Sequence, residues 1–142
     1  MVQVKRAYEK PVPADGTRVL VDRLWPRGLT KEKAAIDAWL RELAPSNELR
    51  KWYHARPEEW SEFRKRYLKE LSESSAAAQL EQLYQLARRK KKLTLVFASK
   101  NEQHNNATVL KQLLEGMRKP PTGTGPGAAR SARERQARRM TR

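Results

Sequence analysis

Three short apolar runs, at residues 2–7, 18–22 and 92–98, interrupt a chain dominated by polar and charged positions. Each has the length and side-chain type of a strand. Lys92-Leu93-Thr94-Leu95-Val96-Phe97-Ala98 is nearly continuous in apolar character, the pattern of an interior strand covered on both faces. Between the first two runs, Pro11, Pro13, Asp15 and Gly16 mark a loop.

The middle of the chain changes period. Thr30 has N-cap chemistry, and Ile36, Leu40 and Leu43 follow at i, i+4 and i+7, which predicts a helix over 31–43 with Asp37 as an interruption. Ser46, after Pro45, starts a short helix bearing Leu49, Trp52 and Tyr53. Pro57-Glu58-Glu59 starts another, with Trp60, Phe63, Tyr67, Leu68 and Leu71 as its apolar stripe. Residues 76–89 form a further helix through Leu80, Leu83, Tyr84, Leu86 and Ala87. A last one, capped by Asn105 or Asn106, runs to Met117 with Val109, Leu110, Leu113 and Leu114 inward. Two strands, several helices, a strong strand and a helix predict an α/β fold: a small, mostly parallel sheet of about three strands covered by helices.

The pattern stops near Lys119. Residues 119–127 are rich in Pro, Gly and Thr, and 128–142 are basic and poor in large apolar side chains. Such composition cannot offset the entropy of ordering, so the expected organisation is a domain over 1–118 and a disordered basic tail over 119–142. No cysteine is present and the histidines are His54 and His104 alone, which excludes thiolate zinc sites and disfavours a multi-histidine metal site. No cofactor is implied. The first residues lack the apolar core of a signal peptide, and no run approaches the ~20 apolar residues of a membrane span, so the expectation is a soluble cytoplasmic protein. No feature of the pattern specifies an oligomer.

The net charge is +15, of which +6 falls in 119–142 and +9 in 1–118. A basic chain attracts nucleic acid nonspecifically through its phosphates, a weak indication of function by itself. Arg88-Arg89-Lys90-Lys91-Lys92 gathers five cations between a predicted helix and strand, either a solvated connection or a phosphate-backbone contact.

Candidate chemistry concentrates in two strand-to-helix turns, the places where open α/β sheets bind ligands. In Val21-Asp22-Arg23-Leu24-Trp25-Pro26-Arg27-Gly28, Arg23 and Arg27 could grip an anion through their planar forks, with Asp22 orienting one of them and Trp25 as a flat wall. The alternative is an ion pair that locks the turn, with Trp25 in the core. The second turn is Ser99-Lys100-Asn101-Glu102-Gln103-His104-Asn105-Asn106. His104 could serve as a general acid/base and Glu102 could orient it or act as a base. Lys100 and Asn105 add ligand-binding groups, and free N–H groups at the helix start could receive an anion. The alternative is that Asn105 caps the helix and His104 packs against the loop. A third cluster, Arg50-Lys51-Trp52-Tyr53-His54 with Trp60 and Arg64, fits either base stacking or core aromatics separated by solvated charges. Dinucleotide, P-loop, α/β-hydrolase and zincin signatures are absent.

Residues 21–29, then Leu43-Ala44-Pro45-Ser46 with Leu49-Arg50-Lys51-Trp52-Tyr53, then 60–67, then 102–110 occur in order. Together they resemble the YeaO-like proteins of the domain of unknown function 488 group, over about residues 2–117. The resemblance implies a small bacterial or archaeal α/β domain and no established reaction. The sequence departs from the family's pattern at Asn101, where an acid is common, and at Ala55, where a histidine follows His54 in many relatives. Two functions are therefore expected to compete. One is a cleft for a small anionic ligand or nucleotide, with His104 and Glu102 for proton transfer. The other is a non-catalytic nucleic-acid-binding or accessory protein that uses its basic surface and tail.

Overall fold

The computed structural model describes residues 1–117; the expected boundary after residue 118 and the tail over 119–142 lie outside the described residues. The element order is β1 (Val2–Arg6), β2 (Thr17–Leu20), α1 (Lys31–Ala34), β3 (Ala38–Trp39), α2 (Asn47–Ala55), α3 (Trp60–Leu71), α4 (Ser74–Arg89), β4 (Leu93–Phe97) and α5 (Asn106–Met117). Short 3-10 turns occupy Pro13–Asp15 and Arg41–Leu43. All four strands join one parallel sheet in the order β1-β4-β2-β3. The fold is α/β as expected, with four strands rather than three.

In place of the helix expected over 31–43 stand the four-residue α1, the extra two-residue strand and a 3-10 turn. Thr30 does cap α1, its hydroxyl accepting the Lys33 N–H at 3.1 Å. Ala35 then turns left-handed, with φ 50°. Asp37 is more than an interruption: its N–H donates to the Arg18 carbonyl and its carboxylate accepts the Arg18 N–H, both at 2.8 Å. This exchange docks Ala38 and Trp39 beside β2. The helical spacing of Ile36, Leu40 and Leu43 is coincidental, because Ile36 packs on one side of the sheet and the two leucines on the other.

Register explains that division. Val4, Leu95, Val19 and Ala38 align across the strands on one face, while Lys5, Val96, Leu20 and Trp39 align on the other. The first face carries the main core, with Leu49, Phe63, Tyr67, Leu71, Leu83 and Leu110 of α2–α5 packed on it. The second face is covered by the loops around α1, through Trp25, Leu29 and Ile36. The chain moves one way along the sheet from β2 to β3 and the other way from β3 to β4. Right-handed crossovers then require the connections to lie on opposite faces.

Part of the second face is polar. Arg18 is buried on β2, where Nε and Nη2 donate to the Ala34 carbonyl and Nη1 donates to Asp15 at 2.7 Å. Asp15 also accepts from Lys5 Nζ at 3.1 Å and from the Val12 N–H at 3.1 Å. Burial opposes ionisation of Asp15, but the Val12 N–H, Lys5 and Arg18 outweigh it and hold the carboxyl below its ordinary range.

Candidate functional site

β2 and β4 are neighbours, and their outgoing chains part: the one after β2 crosses the second face, and the one after β4 enters α5 on the first. Open α/β sheets form ligand crevices at such a point. Here Asp22 lies between the two chains. Its Oδ2 accepts the Ala98 N–H at 2.8 Å, and its Oδ1 accepts Nδ2 of Asn106 at 3.1 Å. The same Asn106 amide donates to the Val21 carbonyl at 2.9 Å, and Trp39 Nε1 donates to the Asp22 carbonyl at 2.7 Å. The Asp22 carboxylate therefore engages these donors itself instead of orienting an arginine. Burial pushes its carboxyl above the ordinary value, and the Ala98 and Asn106 hydrogen bonds offset that in part.

Arg23 turns the other way. Nη2 donates to the Ala44 carbonyl at 3.3 Å, Nη1 lies 3.9 Å from Glu42, and Nε is buried with no partner among the described residues. Carbonyl contact and a long, half-exposed ion pair leave much of this guanidinium's donor capacity unused. Trp25 joins the second-face core, with Nε1 donating to the Leu29 carbonyl at 2.7 Å and its ring edge-on to Trp39 at 5.5 Å. Arg27 is exposed, and its backbone carbonyl accepts the Tyr8 hydroxyl.

The second turn is organised by Asn101. Its Oδ1 accepts the N–H groups of Gln103 and His104 at 3.1 and 2.9 Å, and its carbonyl accepts Nδ2 of Asn105 at 2.8 Å. A carboxylate could accept the same two N–H groups, so an acid at this position could hold the turn as Asn101 does. Asn105 caps α5: its Oδ1 accepts the Thr108 N–H at 3.0 Å, and the Thr108 hydroxyl accepts the Asn105 N–H in return. His104 is exposed and lies flat on Trp60, with centroids 4.5 Å apart and planes 9° apart. Trp60 stacks in turn on Phe63, and Phe63 on Tyr67, whose hydroxyl donates to the Leu43 carbonyl. Lys100 and Glu102 are exposed and form no ion pair among the described residues.

The two turns thus meet through Asp22, Ala98 and Asn106, while Arg23 reaches toward Ala44 and His104 toward α3. In the third cluster Trp52 and Tyr53 both pack against the main core, Tyr53 lying 4.5 Å from Phe63 and Trp52 also facing Arg66 at 4.2 Å. Two hollows are prominent among the described residues. One of about 260 Å³ is lined by Trp25, Ile36 and Trp39, and one of about 380 Å³ lies at the opposite end of the sheet. Sequence reasoning missed Asn106 as the partner of Asp22 and missed the Lys5–Asp15–Arg18 cluster. Each left a signal: an asparagine doublet of which only one member can cap, and an arginine inside an apolar strand.

No helix among the described residues is long and apolar enough to cross a membrane, and no group of three or more His, Asp or Glu there is placed to hold a metal ion. The chain matches the profile of the inactive DUF488-N3 subclade over residues 1–127. It is 44% identical over 115 residues to an uncharacterised protein of Mycobacterium tuberculosis strain H37Rv, covering 81% of this chain and 94% of that one. It is 40% identical over 116 residues to the uncharacterised protein YeaO of Escherichia coli K12, covering 82% of this chain and 98% of YeaO. No solved structure matches it. With the profile spanning the sheet and its helices and these relatives matched over 94% and 98% of their own length, the chain belongs to the YeaO-like DUF488 family.

Proposed function

We propose that the chain binds a small anionic ligand, of the phosphate or carboxylate class, beside the C-terminal ends of β2 and β4 and does so without turnover. The observation that carries this reading is Arg23: a guanidinium at the strand end whose Nε is buried without a partner among the described residues and whose Nη groups meet there only a carbonyl at 3.3 Å and a carboxylate at 3.9 Å. Two oxygens of a carboxylate or phosphate would satisfy the planar fork at the partly exposed Nη groups. Arg27 and Lys100, exposed on the two adjoining loops, add positive charge to the approach. The Asp22 carboxylate already engages the Ala98 N–H and the Asn106 amide, which directs the ligand to Arg23 rather than to the start of α5.

Proton transfer by His104 and Glu102 has less support. The imidazole is stacked on Trp60, and no hydrogen bond among the described residues joins it to Glu102. The family profile is itself described as an inactive subclade, which favours binding over catalysis.

A thermal-shift titration with orthophosphate, nucleoside monophosphates and small dicarboxylates tests the reading. At least one anion is expected to raise Tm progressively, corresponding to about 2.7 kcal/mol at a hundredfold excess over Kd. Arg23→Ala should abolish the shift and His104→Ala should leave it intact. Absence of any shift, or a shift that survives Arg23→Ala, overturns the proposal.

A further inference from the structure

The end of the sheet opposite Arg23 gathers positive charge around a hollow. Arg88, Arg89, Lys90, Lys91 and Lys92 connect α4 to β4; all five are exposed, and none pairs with a carboxylate among the described residues. Beside them opens the hollow of about 380 Å³, with Tyr84, Ala87 and Leu114 forming apolar walls and Arg88, Lys90 and Lys91 at its rim. α5 starts beside Asp22 and carries the chain across the first face until Leu114 lines this hollow. The described chain therefore ends at the same pole, and the sequence that follows, 118–142, holds eight Lys/Arg against one Glu. A helix C-terminus attracts cations in its last turn, which accounts for Arg88 and Arg89 but not for the lysines beyond them.

We propose that this pole binds single-stranded nucleic acid, with backbone phosphates on Arg88, Lys90 and Lys91 and one unstacked base in the hollow against Tyr84. Single strands are held by this combination of a cationic track and an aromatic surface. A duplex keeps its bases stacked and cannot fill the hollow. A bilayer is a poorer fit, because the apolar side chains here line a recess. Of the exposed large apolar side chains among the described residues, Met1 alone belongs to it. Burial and the Glu81 charge push the Tyr84 hydroxyl up to about 12, Arg88 partly offsetting them, so the ring offers an uncharged stacking surface beside the cations.

Fluorescence anisotropy of the full chain with a short labelled oligothymidylate, read against salt, tests the assignment. A same-length duplex and vesicles of phosphatidylcholine with phosphatidylserine run beside it. The single strand is expected to bind more tightly than the duplex or the vesicles. The triple variant Arg88→Gln, Lys90→Gln, Lys91→Gln changes exposed residues only, and it should reduce the log–log salt slope by about 2, at roughly 0.7 for each phosphate no longer neutralised. Tyr84→Leu should weaken binding about tenfold and Tyr84→Phe should restore it. Arg23→Ala should have no effect, which separates this surface from the small-anion site. An unchanged salt slope in the triple variant, equal affinity for duplex, unaltered binding by Tyr84→Leu, or capture by vesicles but not by the oligonucleotide overturns the proposal.

Discussion

At Gly16 the backbone adopts φ 65° and ψ −136°, a region that side-chain-bearing residues reach only at a cost of about 1–3 kcal/mol. Space is equally restrictive, because a Cβ at this position would fall on the carbonyl and Cβ of Lys92. The approach is what lets the Thr17 N–H reach the Lys92 carbonyl at 3.1 Å and start β2 beside β4. Gly16→Ala is therefore expected to lower the melting temperature by more than the conformational penalty alone implies, read by thermal unfolding against a Gly28→Ala control. Gly28 also has positive φ, at 84°, but has open space around it. The sequence marks both glycines as turn residues and does not distinguish them, since crowding by Lys92 depends on a residue 76 positions away. The same limit applies to the candidate site. Asp22, Arg23, His104 and Asn105 are visible as polar residues after strands, and the Asn105 cap is legible because it closes on Thr108 within one turn. That Asp22 bonds Asn106 while Arg23 turns to Ala44 depends on tertiary approach.

Between elements, the Lys5–Asp15–Arg18 cluster ties β1, the turn before β2, β2 and α1 together on the less covered face of the sheet. Asp15 and Arg18 expose 4% and 3% of their side chains, so neither charge is well solvated without the other. The Asp15 carboxyl is held below its ordinary value; the unfolded chain therefore binds more protons in acid. The stabilisation is present above the ordinary carboxylate range and is lost as pH falls through the lowered folded value. Asp15→Asn should cost about 3–5 kcal/mol at neutral pH. It should also flatten the acid limb of stability, measured by urea unfolding over a series of acidic buffers. Asp22 has the opposite sign, its raised value favouring the fold as pH falls. Long elements with one dominant period, such as β4, α3 and α5, are legible in the sequence. The 31–43 segment is not, because a four-residue helix, a two-residue strand and a 3-10 turn share it and each is too short to show its own period.

At the scale of the whole molecule, the parallel sheet separates two chemistries by the length of its strands. One pole holds Arg23, Asp22 and the start of α5; the other holds the five-cation connection and the point where the described chain ends. The two proposals together predict that the ligands bind independently. Saturating amounts of the small anion identified by thermal shift, added at constant ionic strength, should leave the affinity for oligothymidylate unchanged. A matching fall in affinity would place both ligands on one surface. The sheet's margins bear on how copies of the chain meet. β3 is two residues long, so that border presents little unpaired backbone for a second chain to extend. The other border, β1, carries Lys5 and Arg6 in its last two positions. Short margins and charged edge positions are devices that keep sheets from adding strands edge to edge; here β3 is short, while on β1 Lys5 is held by Asp15 and Arg6 by the Ala98 and Ser99 carbonyls.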